Sequence, residues 1–487
     1  MKSLVLFVSS ISRKTIFFFL LLLSCLQSSF AQNISRSMDT LVSKYAALNW
    51  SGVVFAGNHK EIQYKRAFGY ADREQQRPVQ LNTPFKTESV GKMFTAVRIM
   101  QLISEGKLNL NKTVAELLPD WSIPNADKIQ IKHMLNHTSG LSSPWEHPEF
   151  EFGKVYSKAA LKKIIETAHI AFDTPGKRRY YSNSAYILLE EIIVKLDQQS
   201  FESSIREHIF NAAGMTQTRF LNDSILPANG ALPYYQISTN KFVKDDTRYG
   251  DGKASGAGGW MSTAEDLYLF AKAYLNEILL PADWMKVQIT NDHTLADSIP
   301  DARFGLHVLR ATPKNSFVIG HNGGGKGFSV DVYFDFYTKN IVVYCSNLYG
   351  VGYALTTKAF HVLNNQKYPE PTPPSRVKLA DWLLANPGTD SISNTVFQQL
   401  DINDANDYLF FNVFDNLTLA NEHRAAEKVM KICREKYPVH VYSWVKSGEN
   451  ALALNNTEAA KNYFSKAYAL AEEQKDEEAK KMLKGKF

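Results

Sequence analysis

The sequence predicts an α+β domain followed by a small all-α domain, and three observations carry that prediction. Strand-like segments lie at both ends of the stretch from about Ile34 to Leu363: Ser51–Ala56 and Glu61–Tyr70 near its start, then Phe317–Gly320, Phe328–Phe334 and Ile341–Cys345 near its end. Helical patterns fill the middle, so distant parts of the chain complete one antiparallel sheet flanked by helices, with a helical subdomain. Next comes a stretch with four prolines in six residues, Pro369-Glu370-Pro371-Thr372-Pro373-Pro374, which stiffens a linker assigned to 364–378. Beyond it, 379–487 reads as helical.

The chain opens on a leader assigned to 1–31. Arg13-Lys14 precede the apolar run Ile16–Leu23, and Ser29-Phe30-Ala31 offers small residues for cleavage before Gln32, the pattern of a secretory signal peptide. The run is too short to span a membrane, so cleavage is expected to release a periplasmic or secreted protein without a transmembrane span. The alternative takes Leu22-Leu23-Ser24-Cys25 as a lipidation box that anchors a lipoprotein at Cys25. Ser35–Leu48 then reads as a helix, Ser51–Tyr70 as a hairpin turning at Gly57-Asn58, and Leu108–His169 as mostly helical, broken at Pro119, Pro124 and the loop His137–Leu141. Apolar periodicity marks further helices at 184–197 and 201–213.

The formal charge of +6 on 487 residues falls to +3 once Lys2, Arg13 and Lys14 leave with the leader. So slight an excess, with no basic run, argues against a nucleic-acid partner. Beyond Cys25 only Cys345 and Cys433 remain, in segments assigned to different domains, and they read as two buried thiols. The C-terminal region repeats with a period of 34: Trp444, Gly448, Ala460, Phe464 and Ala467 have the spacing of a tetratricopeptide helix pair. One period earlier Ala426, Met430, Cys433 and Pro438 match it, with Phe410 and Phe414 in the places of Trp and Gly. The reading is two tetratricopeptide-like repeats, at about 407–440 and 441–474, a final helix over Lys475–Leu483, and a protein partner held by them.

One helix start concentrates reactive groups. In Thr87-Glu88-Ser89-Val90-Gly91-Lys92, ahead of an apolar face of Met93, Val97, Met100 and Ile103, Ser89 and Lys92 stand three apart in the first turn. A hydroxyl beside an amine there is one way to activate a nucleophile, and the helix dipole favours the charge that develops when it attacks a carbonyl. Ser-x-x-Lys occurs five times in this chain, so the pair needs companions. The Pro175-Gly176 turn lifts a loop that presents Tyr181 and Asn183 just before a helix, the phenol to move a proton near Lys92 and the amide to hold a substrate carbonyl. Gly320-His321-Asn322-Gly323-Gly324-Gly325 supplies a strand edge that glycines let approach a substrate. There, beside Gly323, the amide of Gly324 joins that of Ser89 as an oxyanion hole, and His321 offers a polar or cationic contact.

These stretches, in this order, resemble the Ser-x-x-Lys, Tyr-x-Asn and Lys/His-Thr-Gly signature of the serine β-lactamase and penicillin-binding protein superfamily. Ile131–Leu141 and Gly258–Leu267 are similar to two further segments of it. Tyr181, where other branches use Ser-Asp-Asn, is similar to the branch of class C β-lactamases, D,D-peptidases and family VIII esterases. The resemblance implies a β-lactamase/transpeptidase-like fold over 34–363, acylation of Ser89, Lys92 and Tyr181 as the proton-transfer pair, and hydrolysis of the acyl-enzyme by water. It implies a small acyl, peptide or β-lactam-like substrate, cleaved at an ester, amide or D-amino-acid peptide bond. His321 replaces the lysine usual in class C β-lactamases and Asn322 the usual threonine, departures that favour esters over penicillins.

Other patterns carry less. His133 and His137 are four apart on a predicted helix, a metal-ligand spacing, yet no third ligand accompanies them, and no metal or cofactor is expected. Gly256–Gly259 lacks the Lys-Ser/Thr of a phosphate loop, and Ser262-Thr263-Ala264-Glu265 reads as a capping box opening the next helix. The alternative to an exported serine hydrolase is a catalytically silent protein that keeps the fold and recruits a partner through its repeats.

Overall fold

The computed structural model describes residues 33–151, 154–221, 227–245, 254–290, 303–310, 312–325, 327–389, 392 and 394–486. The leader at 1–31, with Cys25, lies outside the described residues. The chain divides into two compact units, one formed by Leu232–Asp246 with Thr372–Phe487 and the other by the remainder. No helix among the described residues is long and apolar enough to cross a membrane.

The larger unit is built on strands β1 (Gly52–Asn58), β2 (Ile62–Phe68), β3 (His307–Val308), β4 (Val318–Gly325), β5 (Phe328–Asp335) and β6 (Asn340–Ser346), with helices α1 (33–47), α2 (Gly91–Ser104), α3 (Asn183–Asp197), α4 (Ala264–Leu275) and α5 (Ala354–Leu363). The strands form one antiparallel sheet in the order β2-β1-β6-β5-β4-β3, so both ends of the unit's sequence complete it. Every residue of β5 is buried, which requires cover on both faces. The pleat sends Val330, Val332 and Phe334 into the main core with Val53, Phe55, Val343 and Cys345. Asp331 turns to the other face, where its Oδ2 accepts from the Tyr353 amide at 2.7 Å and the Thr356 hydroxyl at 2.6 Å, fixing the start of α5.

Helix α2 is buried on nearly all sides. Its one arginine, Arg98, is ion-paired there with Asp197 at 2.7 Å and Glu105 at 2.9 Å, which ties α2 to the end of α3. A guanidinium so deep is tolerated only because its donors are occupied.

The structure corrects several local readings. The described residues of Leu108–His169 hold three short α-helices, Val114–Leu117, Ile131–Leu135 and Lys158–Thr167, rather than being mostly helical. Prolines and Gly140, which takes a φ of 82°, keep the intervening chain in turns. His137 lies past the end of Ile131–Leu135 with a φ of 62°, so it shares no helix face with His133. Thr263, not Ser262, caps α4 by accepting from the Asp266 amide at 3.3 Å, because Ser262 is held in a short strand against Phe85.

The smaller unit gains a hairpin, Tyr234–Ser238 with Lys241–Lys244, which the sequence reading leaves within 34–363. Its apolar Tyr235, Ile237 and Val243 pack with Leu379, Leu383, Phe410 and Val413, and Asp381 accepts both the amide and hydroxyl of Thr239 at 2.9 and 2.6 Å. Helix Ser375–Ala385 begins inside the stretch read as linker. After a short helix, Asn394–Gln399, come Asp407–Leu419, His423–Lys436, Val441–Ala453, Thr457–Gln474 and Glu477–Leu483. Gly448 lets the third and fourth of these approach, since a Cβ there would lie 2.4 Å from Phe464. Cys345 and Cys433 are free and buried, one in each unit.

Candidate active site

Ser89 sits on a single 3-10 turn, Glu88–Val90, that runs straight into α2. The entry is pinned from the Gly256–Trp260 loop: the Thr87 amide donates to the Trp260 carbonyl at 2.7 Å and the Gly259 amide to the Glu88 carbonyl at 3.2 Å. Gly258 comes so near that a Cβ on it would lie 2.0 Å from the Glu88 carbonyl oxygen. Glu88 itself is held at a φ of 47°, a strained conformation for a side chain of its size.

Lys92, fully buried one turn on, donates to Ser89 Oγ at 3.1 Å, Asn183 Oδ1 at 2.6 Å and the Ala257 carbonyl at 2.6 Å. Three acceptors match the three N–H groups of an ammonium. The sequence reading misses Ala257, because a backbone carbonyl carries no residue signature. Asn183, expected to hold a substrate carbonyl, instead lies buried behind Lys92, its Nδ2 donating to Ser143 Oγ at 3.0 Å.

Tyr181 stands over the same serine. Burial pushes its phenol up, and a hydrogen bond with Ser89 pulls partly back, so the phenol rests protonated. Lys92 Nζ lies 4.9 Å from the Tyr181 ring centroid. The His137 ring stacks on Tyr181 with centroids 4.2 Å apart.

Strand β4 closes on the nucleophile through its glycines. A Cβ on Gly323 would lie 2.1 Å from the Thr87 carbonyl oxygen and 3.1 Å from the Ser89 amide nitrogen, a distance only glycine permits. Gly324 is exposed, with open space where a side chain would go. His321 is buried, and its Nδ1 sits 2.5 Å from the Asn322 carbonyl, so Nδ1 carries the proton and Nε2 presents a lone pair. Burial, with His307 and Lys92 nearby, pushes its pKa well below the ordinary value. Of the two contacts expected from His321, the structure therefore supports the neutral polar one.

Ser89, Tyr181, His321 and Gly324 open onto one cleft of about 770 Å³, also lined by Arg179, His307, Arg310 and Tyr353. Arg179 contacts His307 Nε2 at 3.1 Å, and the His307 and His321 rings lie 4.1 Å apart. Among the described residues no carboxylate lines this cleft. None of these four additional lining residues stands in a motif, and only their nearness in space marks them.

Several known proteins are similar to this chain. The chain is 28% identical over 370 residues to penicillin-binding protein 4* of Bacillus subtilis (strain 168), a match spanning 71% of this chain and 80% of the relative. It is 29% identical over 200 residues to esterase EstB of Burkholderia gladioli, spanning 38% of this chain and 50% of that protein. In fold it is similar to the crystal structure of D-amino acid amidase from Ochrobactrum anthropi SV3, with a TM-score of 0.56, 19% identity, and coverage of 68% of this chain and 96% of that one. The family described as Beta-lactamase matches residues 38–361, the whole span that carries the sheet and the Ser89 cleft, and the chain belongs to it as a serine hydrolase of the β-lactamase and penicillin-binding protein type.

Proposed function

We propose that the protein is exported and forms an acyl-enzyme at Ser89 while cleaving an ester, amide or D-amino-acid peptide bond in a small substrate. The observation that carries this reading is the 3.1 Å contact from Lys92 Nζ to Ser89 Oγ, with the buried Tyr181 lining the same cleft as that serine. Because the ammonium donates to Oγ, the serine's own proton points to Tyr181. As Oγ attacks the carbonyl, Tyr181 takes that proton and passes its own to the leaving group, so no phenolate need form. The amides of Ser89 and Gly324 receive the developing oxyanion. Water then attacks the ester, its proton going to Tyr181 and the phenol's returning to Ser89. Asn183 and Ala257 hold the Lys92 ammonium in place throughout.

The relatives named as a penicillin-binding protein and an esterase support this range of substrates. Neutral His321 does not itself supply a positive charge to a β-lactam carboxylate, which favours esters over penicillins. Turnover of p-nitrophenyl butyrate, nitrocefin and a D-Ala-D-Ala peptide side by side tests this, with ester hydrolysis expected to exceed nitrocefin hydrolysis. Robust nitrocefin turnover with an inert ester would overturn it. The Arg13–Ala31 leader supports export, and the period of 34 supports tetratricopeptide-like repeats that hold a protein partner.

A further inference from the structure

We infer that His137 is a positioning residue for Tyr181, holding the phenol at Ser89 by gripping the backbone on both sides of it and its ring at once. The inference rests on the function proposed above. The His137 carbonyl accepts the Tyr180 amide at 2.8 Å, and its Nδ1 accepts the Ser182 amide at 3.2 Å. Between those two anchors the imidazole stacks on the Tyr181 ring, 4.2 Å between centroids and 27° between planes.

The seat of His137 is itself fixed. It is buried, and its φ of 62° aims both its carbonyl and its ring at the same loop. The next residue, Thr138, donates through its amide to the His133 carbonyl at 2.8 Å and through its hydroxyl to Asn136 Oδ1 at 2.7 Å. Its carbonyl accepts the Gly176 amide at 2.8 Å, which holds the start of the Tyr181 loop. The Tyr186 ring packs at 5.2 Å on the imidazole while its hydroxyl donates to the Leu135 carbonyl at 2.9 Å.

An Nδ1 that accepts a backbone N–H must be unprotonated, so the ring is the neutral Nε2–H tautomer. This gives the residue a chemical requirement that simple loop packing lacks. It must be aromatic, an acceptor on the near edge, and tolerant of a left-handed backbone. A relay between Ser89 and a leaving group depends on Tyr181 within a fraction of an ångström, so the grip bears on rate more than on substrate affinity.

A double-mutant cycle with Tyr181→Phe, read as kcat and KM on p-nitrophenyl butyrate, tests the assignment. His137→Asn keeps a residue that tolerates the backbone and removes the ring, whereas His137→Phe keeps the ring and removes the acceptor. Either is expected to lower kcat by about 10- to 100-fold with KM little changed, the scale of a misplaced reacting group. In the Tyr181→Phe background the same change is expected to cost about threefold or less, since its target is gone. Equal losses in both backgrounds, or an undiminished kcat, would overturn the inference. If His137→Asn does not fold, the His137→Phe arm reads the same coupling. A crystal structure of the variant separates this from the parent reading. A wild type that turns over nothing refutes the proposed function, and the Tyr181 hydroxyl still reports on His137. Displacement of that hydroxyl from Ser89 Oγ by about 1 Å or more supports positioning, and an unmoved hydroxyl refutes it.

Discussion

Lys92 Nζ donates to Ser89 Oγ at 3.1 Å while Asn183 Oδ1 and the Ala257 carbonyl each take another of its N–H groups at 2.6 Å. The ammonium is aimed at the nucleophile by two groups that do not react. Lys92→Met removes that aim along with the charge, and we expect kcat/KM for p-nitrophenyl butyrate to fall by about 10²- to 10⁴-fold. An undiminished rate would mean that Ser89 is activated by something else.

The edge strand and the nucleophile are in contact at Gly323. An added Cβ would meet the Thr87 carbonyl oxygen at 2.1 Å, so Gly323→Ala must push β4 away from Ser89 and open the oxyanion site. The expected loss in kcat is about 100-fold, measured by steady-state kinetics. Gly324→Ala, whose Cβ meets nothing within 4 Å and which keeps its amide, is expected to lose less than about tenfold. The reverse ranking would contradict the register of β4 against Ser89.

Buried His137 and His321 are both held neutral, with pKa values pushed well below the ordinary one by burial and by neighbouring histidine and lysine. Below about pH 6.5 the unfolded chain binds protons at these positions that the folded chain refuses, so their contribution is full above that pH and is lost as pH falls. Asp331 works in the opposite direction. Burial raises its carboxyl to about 6 against the pull of Thr356 and Tyr353, so the folded state binds its proton more tightly, and that contribution fades as pH rises through 6. Asp331→Asn removes the opposing term. Urea midpoints measured from pH 7.5 to 4.5 are expected to fall more steeply in the variant than in wild type, and parallel curves would refute the assignment.

Arg98 is buried between Asp197 at 2.7 Å and Glu105 at 2.9 Å. Asp197→Ala leaves a guanidinium short of its main partner inside the protein. We expect about 3 to 5 kcal/mol of lost stability by urea unfolding, far above the cost of an exposed pair. A loss under about 1 kcal/mol would show that Glu105 alone satisfies the charge.

Ser89, Lys92, Tyr181 and His321 were legible in the sequence because each sits in a short motif whose order is set by the chain. The sheet was legible because β5 and β6 carry strand-type residues between clear turns. Ala257 was not, since its contribution is a carbonyl that any residue has. Asn183 misled because spacing shows that an amide is present, not which way it faces. Arg98 finds Asp197 only through the packing of α2 on α3, and the Tyr234–Lys244 hairpin finds its core in helices far along the chain. Such pairings are long-range and leave no local pattern.

Ser89 is proposed as the covalent nucleophile of this cleft. Intact-protein mass spectrometry after exposure to a fluorophosphonate, followed by peptide mapping, reads it directly. One adduct is expected on wild type, located at Ser89 and absent from Ser89→Ala; an unlabelled wild type, or equal labelling of Ser89→Ala, would contradict that assignment.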